Sequence, residues 1–162
     1  MFVWVLSTTM PLIMMALWTA VAREAPVGQY GSEDFVRYFL AAFVVRQLTG
    51  TWAAWMINYE VRQGTLAMRL LRPISPLWGY AAENLGAMPM RLFVVVPVAS
   101  FAVYTVGWQA VPQTAWGWAF LLVSIFGGWL ITFLVNVAIG TLSLYMESST
   151  KLMDVWLALF FV

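Results

Sequence analysis

A chain of 162 residues, 63% hydrophobic and 9% charged with a mean hydropathy of +0.84, cannot bury its apolar surface in a soluble domain of this size; it is an integral membrane protein. It has no cysteine and no histidine, which excludes disulfides, thiol chemistry and the usual zinc sites, so no metal site is expected. A net charge of +1 says nothing about nucleic acid, which is not an expected partner, and the 8 basic and 7 acidic residues matter through their placement.

Residues 2–22 carry no charge over 21 positions, which at about 1.5 Å per residue is roughly 30 Å, the thickness of a bilayer's hydrocarbon core. Ala20, Val21 and Ala22 resemble a signal-peptide cleavage site, but no basic segment precedes the run, and a span is the better reading. Residues 23–34, with Pro26, Gly28 and Gly31, read as a short loop. A second span, 35–57, carries Arg37 near one end and Arg46 near its centre. Residues 58–91 are polar and long enough for a short helix or two outside the membrane. The third span, 92–106, contains Pro97, which neighbouring helices can accommodate. Residues 107–114 form a tight turn flanked by Trp108, Trp116 and Trp118, an aromatic belt. The fourth span, 115–145, is too long to stand upright and is expected to tilt, kink at Gly127 and Gly128, or project from the bilayer. Residues 146–154 read as a polar loop and 155–162 as the start of a fifth span. Met1 and Val162 lie at or inside apolar runs, so both ends read as cut. The expected fold is therefore all-α: one polytopic transmembrane domain over 1–162, with four spans and the start of a fifth.

Orientation follows from the basic residues. Arg62, Arg69, Arg72 and Arg91 cluster in 58–91 and Lys151 follows the fourth span, whereas the opposite side has Arg23 and the border residue Arg37. Positive-inside bias places 58–91 in the cytoplasm and 23–34 outside, for a multi-pass protein of the cell (inner) membrane. Within the cytoplasmic segment, Gly64 is a helix stop, and Thr65 can cap a new turn through Leu66 to Leu71 that Pro73 ends. Such a helix can lie on anionic lipid or dock on a protein, and periodicity does not separate the two.

Two intramembrane patterns stand out. Arg46 at a helix centre costs about 2.5–3.5 kcal/mol on insertion scales and must face protein or water. With Ala42, Gly50, Ala54 and Asn58 it forms a ridge at four-residue spacing that suits close helix packing. Ser124, Gly128, Thr132, Asn136 and Gly140 form a second ridge, for which packing is the expected role of Gly128, Thr132 and Gly140. Arg46 and Asn136 are the candidate residues of a substrate pathway; a structural arginine bonded to carbonyls or a carboxylate is the equal alternative for Arg46.

The run E-x-R-x-G-x-L at 60–66, followed by L-L-R-P-x-S-P at 70–76 after a second span, resembles the cytoplasmic loop of permease subunits of exporter-type ABC transporters. The resemblance implies a subunit of six helices preceded by an amphipathic helix, in which the loop between helices two and three is a coupling helix docked on a separate ATPase. Glu60, Arg62, Gly64, Leu66, Leu71, Arg72, Pro73, Ser75 and Pro76 would then belong to that docking element. It further implies a second permease subunit, identical or paralogous, and ATP with Mg bound by the ATPase subunit. The chain departs from the pattern in lacking the leading helix, most of the fifth span and the sixth. No P-loop motif occurs, and without His or Cys nothing assembles into an acid/base pair, so the chain is not expected to be an enzyme. The alternative is a non-transporting scaffold or sensor that recruits a cytoplasmic partner through the same loop. An ion-coupled carrier is weakened by the scarcity of intramembrane carboxylates.

Overall fold

A computed structural model describes residues 2–24, 31–108, 111–146 and 149–161. The only regular structure among the described residues is helical, with no strand: α1 Phe2–Glu24, α2 Ser32–Thr49, α3 Ala53–Gln63, α4 Leu66–Leu70, α5 Pro76–Gly86, α6 Met88–Val106, α7 Ala115–Thr141, a short 3-10 turn Leu142–Leu144, and α8 Ser149–Phe161. Two stretches, Pro76–Tyr104 and Ala115–Leu144, are long and apolar enough to cross a bilayer, and Met10–Arg23 is an apolar part of α1. The chain divides into two compact units, Met1–Leu48 with Met90–Phe126 and Thr49–Pro89 with Gly127–Val162.

In the first unit the helices are held by apolar packing. Phe43, Leu48 and Val95 are buried against Leu12, Val44, Val98 and Ile125, and Leu40 packs with Ala102. Trp18 and Phe35 stack with centroids 5.6 Å apart, joining α1 to α2. The start of α2 is well specified: Asp34 accepts the Gly31 N–H at 3.0 Å, and Glu33 and Asp34 place negative charge at the positive end of the helix dipole. Gly107, at φ 86°, ends α6 in the left-handed conformation that glycine tolerates without strain. Thr114 then opens α7 by accepting the Gly117 N–H at 3.1 Å.

The second unit is built on closer backbone approach. Ala53, Ile57, Tyr80, Ala81, Trp129 and Phe133 form its core. Gly140 allows the contact of α7 with α3, since a Cβ there would sit 2.9 Å from the Ile57 side chain and 3.1 Å from the Ala54 Cα. A Cβ on Gly128 would meet Thr49 Cγ2 at 3.0 Å. A buried hydrogen bond, Asn58 Nδ2 to Ser149 Oγ at 2.9 Å, joins α3 to the start of α8.

Several boundaries differ from those expected. The second span is two helices, because Gly50, Thr51 and Trp52 are not helical. Gly50 is a weak helix former, and Thr51 Oγ1 takes the Ala53 N–H at 3.3 Å, offering the backbone an alternative to the helix ladder. The ridge through Ala42, Arg46, Gly50, Ala54 and Asn58 is therefore split at Gly50, with Ala54 and Asn58 on α3. The 23–34 loop shrinks, as Arg23 and Glu24 belong to α1 and Ser32 begins α2; Pro26 and Gly28 lie outside the described residues. The third helix of the expected set starts at Met88 and takes Arg91 into its first turns, where Arg91 Nη1 donates to the Leu48 carbonyl at 3.3 Å. The polar stretch 146–154 is mostly helical from Ser149 onward, because Ser149 finds a buried partner in Asn58. Val162 lies outside the described residues.

A candidate partner-docking site

The segment between Glu60 and Pro76 is shaped by its glycine and prolines. Gly64, at φ 72°, ends α3, and its N–H bonds back to the Val61 carbonyl at 3.2 Å. The expected side-chain cap by Thr65 does not form; Thr65 Oγ1 instead donates to the Glu60 carbonyl at 3.5 Å, serving the end of α3 rather than the start of α4. One helical turn later the N–H groups of Leu71 and Arg72 bond to the Ala67 and Arg69 carbonyls, and Pro73 cannot extend the helix. Ser75, held extended before Pro76 at ψ 131°, leads into α5 with proline at its first turn.

A polar cluster ties these short helices together. Arg69 Nη2 lies 2.6 Å from Glu60 Oε1 and Arg69 Nη1 lies 3.0 Å from Glu83 Oε1, joining α4 to α3 and to α5. Tyr80 Oη donates to the other Glu60 oxygen at 2.6 Å, and the Arg69 guanidinium sits 4.3 Å from the centroid of the Tyr80 ring. Gly79 leaves room for the arginine, since a Cβ there would stand 3.0 Å from Nη1. Burial pulls the Arg69 pKa down, but its hydrogen bonds and charge interactions with Glu60 and Glu83 outweigh that and hold it above the ordinary arginine value. The side chains of Arg69 and Glu60 are 17% and 14% exposed, so this pair is far less solvated than a surface ion pair.

The other residues of the segment point elsewhere. Arg62 Nε donates to Asn58 Oδ1 at 3.1 Å along α3. Leu66 is half-buried, and Arg72, Pro73 and Ser75 are exposed. Leu71 is 81% exposed, and with Met68, Leu70 and Ile74 it makes an apolar set that the rest of the chain leaves uncovered, suited to lipid or to a partner protein. Glu60 thus faces inward while Leu71 and Arg72 face out, a division that residue spacing did not reveal. Arg69, Tyr80 and Glu83 were missed as site residues because the Gly64 turn hides the Glu60 to Arg69 pairing from any helical i,i+4 rule. Only the spacing of Tyr80 and Glu83 on one helix could have signalled a shared face.

The intramembrane candidates are not brought into this cluster. Arg46 is half-buried on α2. Asn136 is 1% exposed and donates to the Thr132 carbonyl of its own helix at 2.9 Å, while Thr132 Oγ1 donates to the Gly128 carbonyl at 2.7 Å. Ala54 and Gly140 lie against each other in the α3–α7 contact.

A helical chain of this hydrophobicity, with two apolar stretches long enough to cross a bilayer, is a membrane protein. The family is defined by sequence: residues 6–162 match the family model described as ABC-2 family transporter protein, and the chain belongs to that family. It is accordingly a permease subunit of an ABC transporter, a membrane component that is not itself catalytic and that works with an ATPase partner. No curated protein and no solved structure matches the chain.

Proposed function

We propose that this permease is the membrane half of an ATP-driven exporter of the inner membrane and that its ATPase subunit docks on residues 60–76. Four spans and the start of a fifth would then leave that segment in the cytoplasm, where the basic residues favour it. ATP and Mg are bound by the ATPase, and closure of two such subunits pushes on α4. A second permease copy or paralogue supplies the other wall of the path, so that alternating access follows at their interface. Arg46 is the residue of this chain that would draw polar substrate groups into that path.

The observation that carries the docking reading is the division of labour in the segment. Leu71, Arg72 and Ile74 are exposed at the turn after α4, while Arg69 secures the helix to α3 and α5 through Glu60 and Glu83. A force applied to the exposed face can therefore pass into α3 without first being lost in a loose loop. The test is co-purification of the full permease with its ATPase, together with transport-coupled ATP hydrolysis. Leu71→Asp with Arg72→Glu is expected to abolish association while membrane insertion and yield stay normal. Undiminished recovery and coupling in that double variant would remove the docking assignment. Glu60 is not the residue to reverse, because its loss would unfasten α4 rather than alter the exposed face.

A further inference from the structure

Helices α1, α2 and α6 of the first unit line an open crevice of about 820 Å³. Its body is apolar, lined by Leu12, Met15, Val36 and Phe101, and one end carries Arg23, Ser32 and Glu33. We propose that the crevice binds a single bilayer phospholipid with a primary-amine headgroup, its phosphate on Arg23, its ammonium on Glu33 and one acyl chain lying toward Leu12.

The length of the crevice fits one leaflet. Leu12 and Arg23 are separated by 11 residues of α1, about 16 Å at the helical rise, which is close to half of a hydrocarbon core of about 30 Å. A headgroup at Arg23 therefore places its chain along the whole apolar body without leaving the leaflet. The wall offers no competing polar group midway, because the Thr19 hydroxyl donates to the Met15 carbonyl of its own helix at 2.6 Å. The stacked rings of Trp18 and Phe35 hold α1 against α2, so this wall stands before any ligand arrives.

The charges at the polar end select the headgroup. Both signs occur there, and an exclusively anionic headgroup would bring its charge against Glu33 as well as Arg23. Glu33 is only loosely held, 3.8 Å from Arg37 with its side chain 57% exposed, and can accept a hydrogen bond from an ammonium. A quaternary headgroup has no N–H to donate, whereas a primary ammonium makes a charge-assisted bond. Phosphatidylethanolamine satisfies each of these conditions.

The experiment uses the full permease with its ATPase, extracted from vesicles of equimolar phosphatidylethanolamine, phosphatidylcholine and phosphatidylglycerol, with retained lipid read by native mass spectrometry. One retained phosphatidylethanolamine is expected, favoured roughly tenfold over either competitor. Arg23→Gln should lower retention by about the same factor, and Glu33→Gln should erase the preference over phosphatidylcholine. Ala16→Phe, which fills the crevice, should abolish retention, whereas Leu17→Phe on the exposed face of the same helix should not. Should Ala16→Phe fail to fold, the competition among headgroups on the unaltered protein still decides the matter. Retention without headgroup preference would reduce the lipid to a bulk annular one and overturn the site. Disulfide-linked dimers of an Ala20→Cys variant, in a chain with no other cysteine, would show a second copy covering the crevice and overturn it equally.

Discussion

Arg37 in the first unit and Arg69 in the second both pair with carboxylates, and the same chemistry has different consequences. In the first unit Arg37 reaches Glu33 and Asp34 at 3.8 and 3.6 Å, on the surface of one helix, with side chains between 43% and 57% exposed. In the second unit Arg69 reaches Glu60 and Glu83 at 2.6 and 3.0 Å and spans three helices, with its own side chain 17% exposed. Solvent screens the first arrangement and largely fails to screen the Arg69–Glu60 pair. A charge pair organises tertiary structure only where it is partly withdrawn from water and joins elements that the chain would otherwise leave independent.

The comparison extends to packing. The first unit relies on side-chain burial around Phe43 and Val95, which tolerates small changes of shape, whereas the second brings backbones together at Gly140. The largest stability loss is therefore expected from Gly140→Leu. Its Cβ would lie 2.9 Å from Ile57 and 3.1 Å from the Ala54 backbone, and the overpacking should cost about 3 kcal/mol. Thermal unfolding of the purified complex measures it, and an unchanged melting temperature would mean that α7 and α3 are not in contact.

Next in size is Arg69→Leu. It leaves Glu60, 14% exposed, with only the Tyr80 hydroxyl and should cost about 1–2 kcal/mol. The loss should be local: faster proteolysis between Gly64 and Ser75, with the melting temperature moved less than in Gly140→Leu. Equal resistance to protease in the variant and the parent would show that the cluster does not hold α4. The smallest effect is expected from Arg37→Leu, under about 0.5 kcal/mol, because its exposed i,i+3 and i,i+4 partners remain solvated without it. A loss as large as that of Arg69→Leu would erase the distinction drawn between the two arginines.

Much of the local structure of residues 60–76 was legible from residue types with strong local rules. Gly64 before a polar-to-apolar change, Pro73 after Leu71, and Pro76 after Ser75 each restrict the backbone whatever surrounds them, and α4 lies between the stops they impose. The break at Gly50–Trp52 was not legible, because a glycine inside an apolar run is also what close helix packing favours, and the Thr51 to Ala53 bond that decides it is not a pattern. The early start of α8 was hidden for a similar reason. Ser149 and Lys151 read as loop residues until the partner of Ser149, 91 positions away, is known.

Composition and hydrophobic run length by themselves determined that this chain lives in a membrane and is helical, since in lipid every backbone polar group has to be satisfied internally and uncharged apolar runs of about 20 residues fit a helix rather than the short alternating strands of a barrel. The motif at 60–76 resembles that of ABC permeases, and the family match over residues 6–162 bears the resemblance out. Which charges of that motif face inward was decided only by tertiary structure. Glu60 and Arg72 are similar border charges in the sequence, yet the Gly64 turn carries Arg69 and the α5 residues Tyr80 and Glu83 to Glu60 and leaves Arg72 exposed. Pairing across a turn depends on the three-dimensional path of the backbone, which no one-dimensional period encodes.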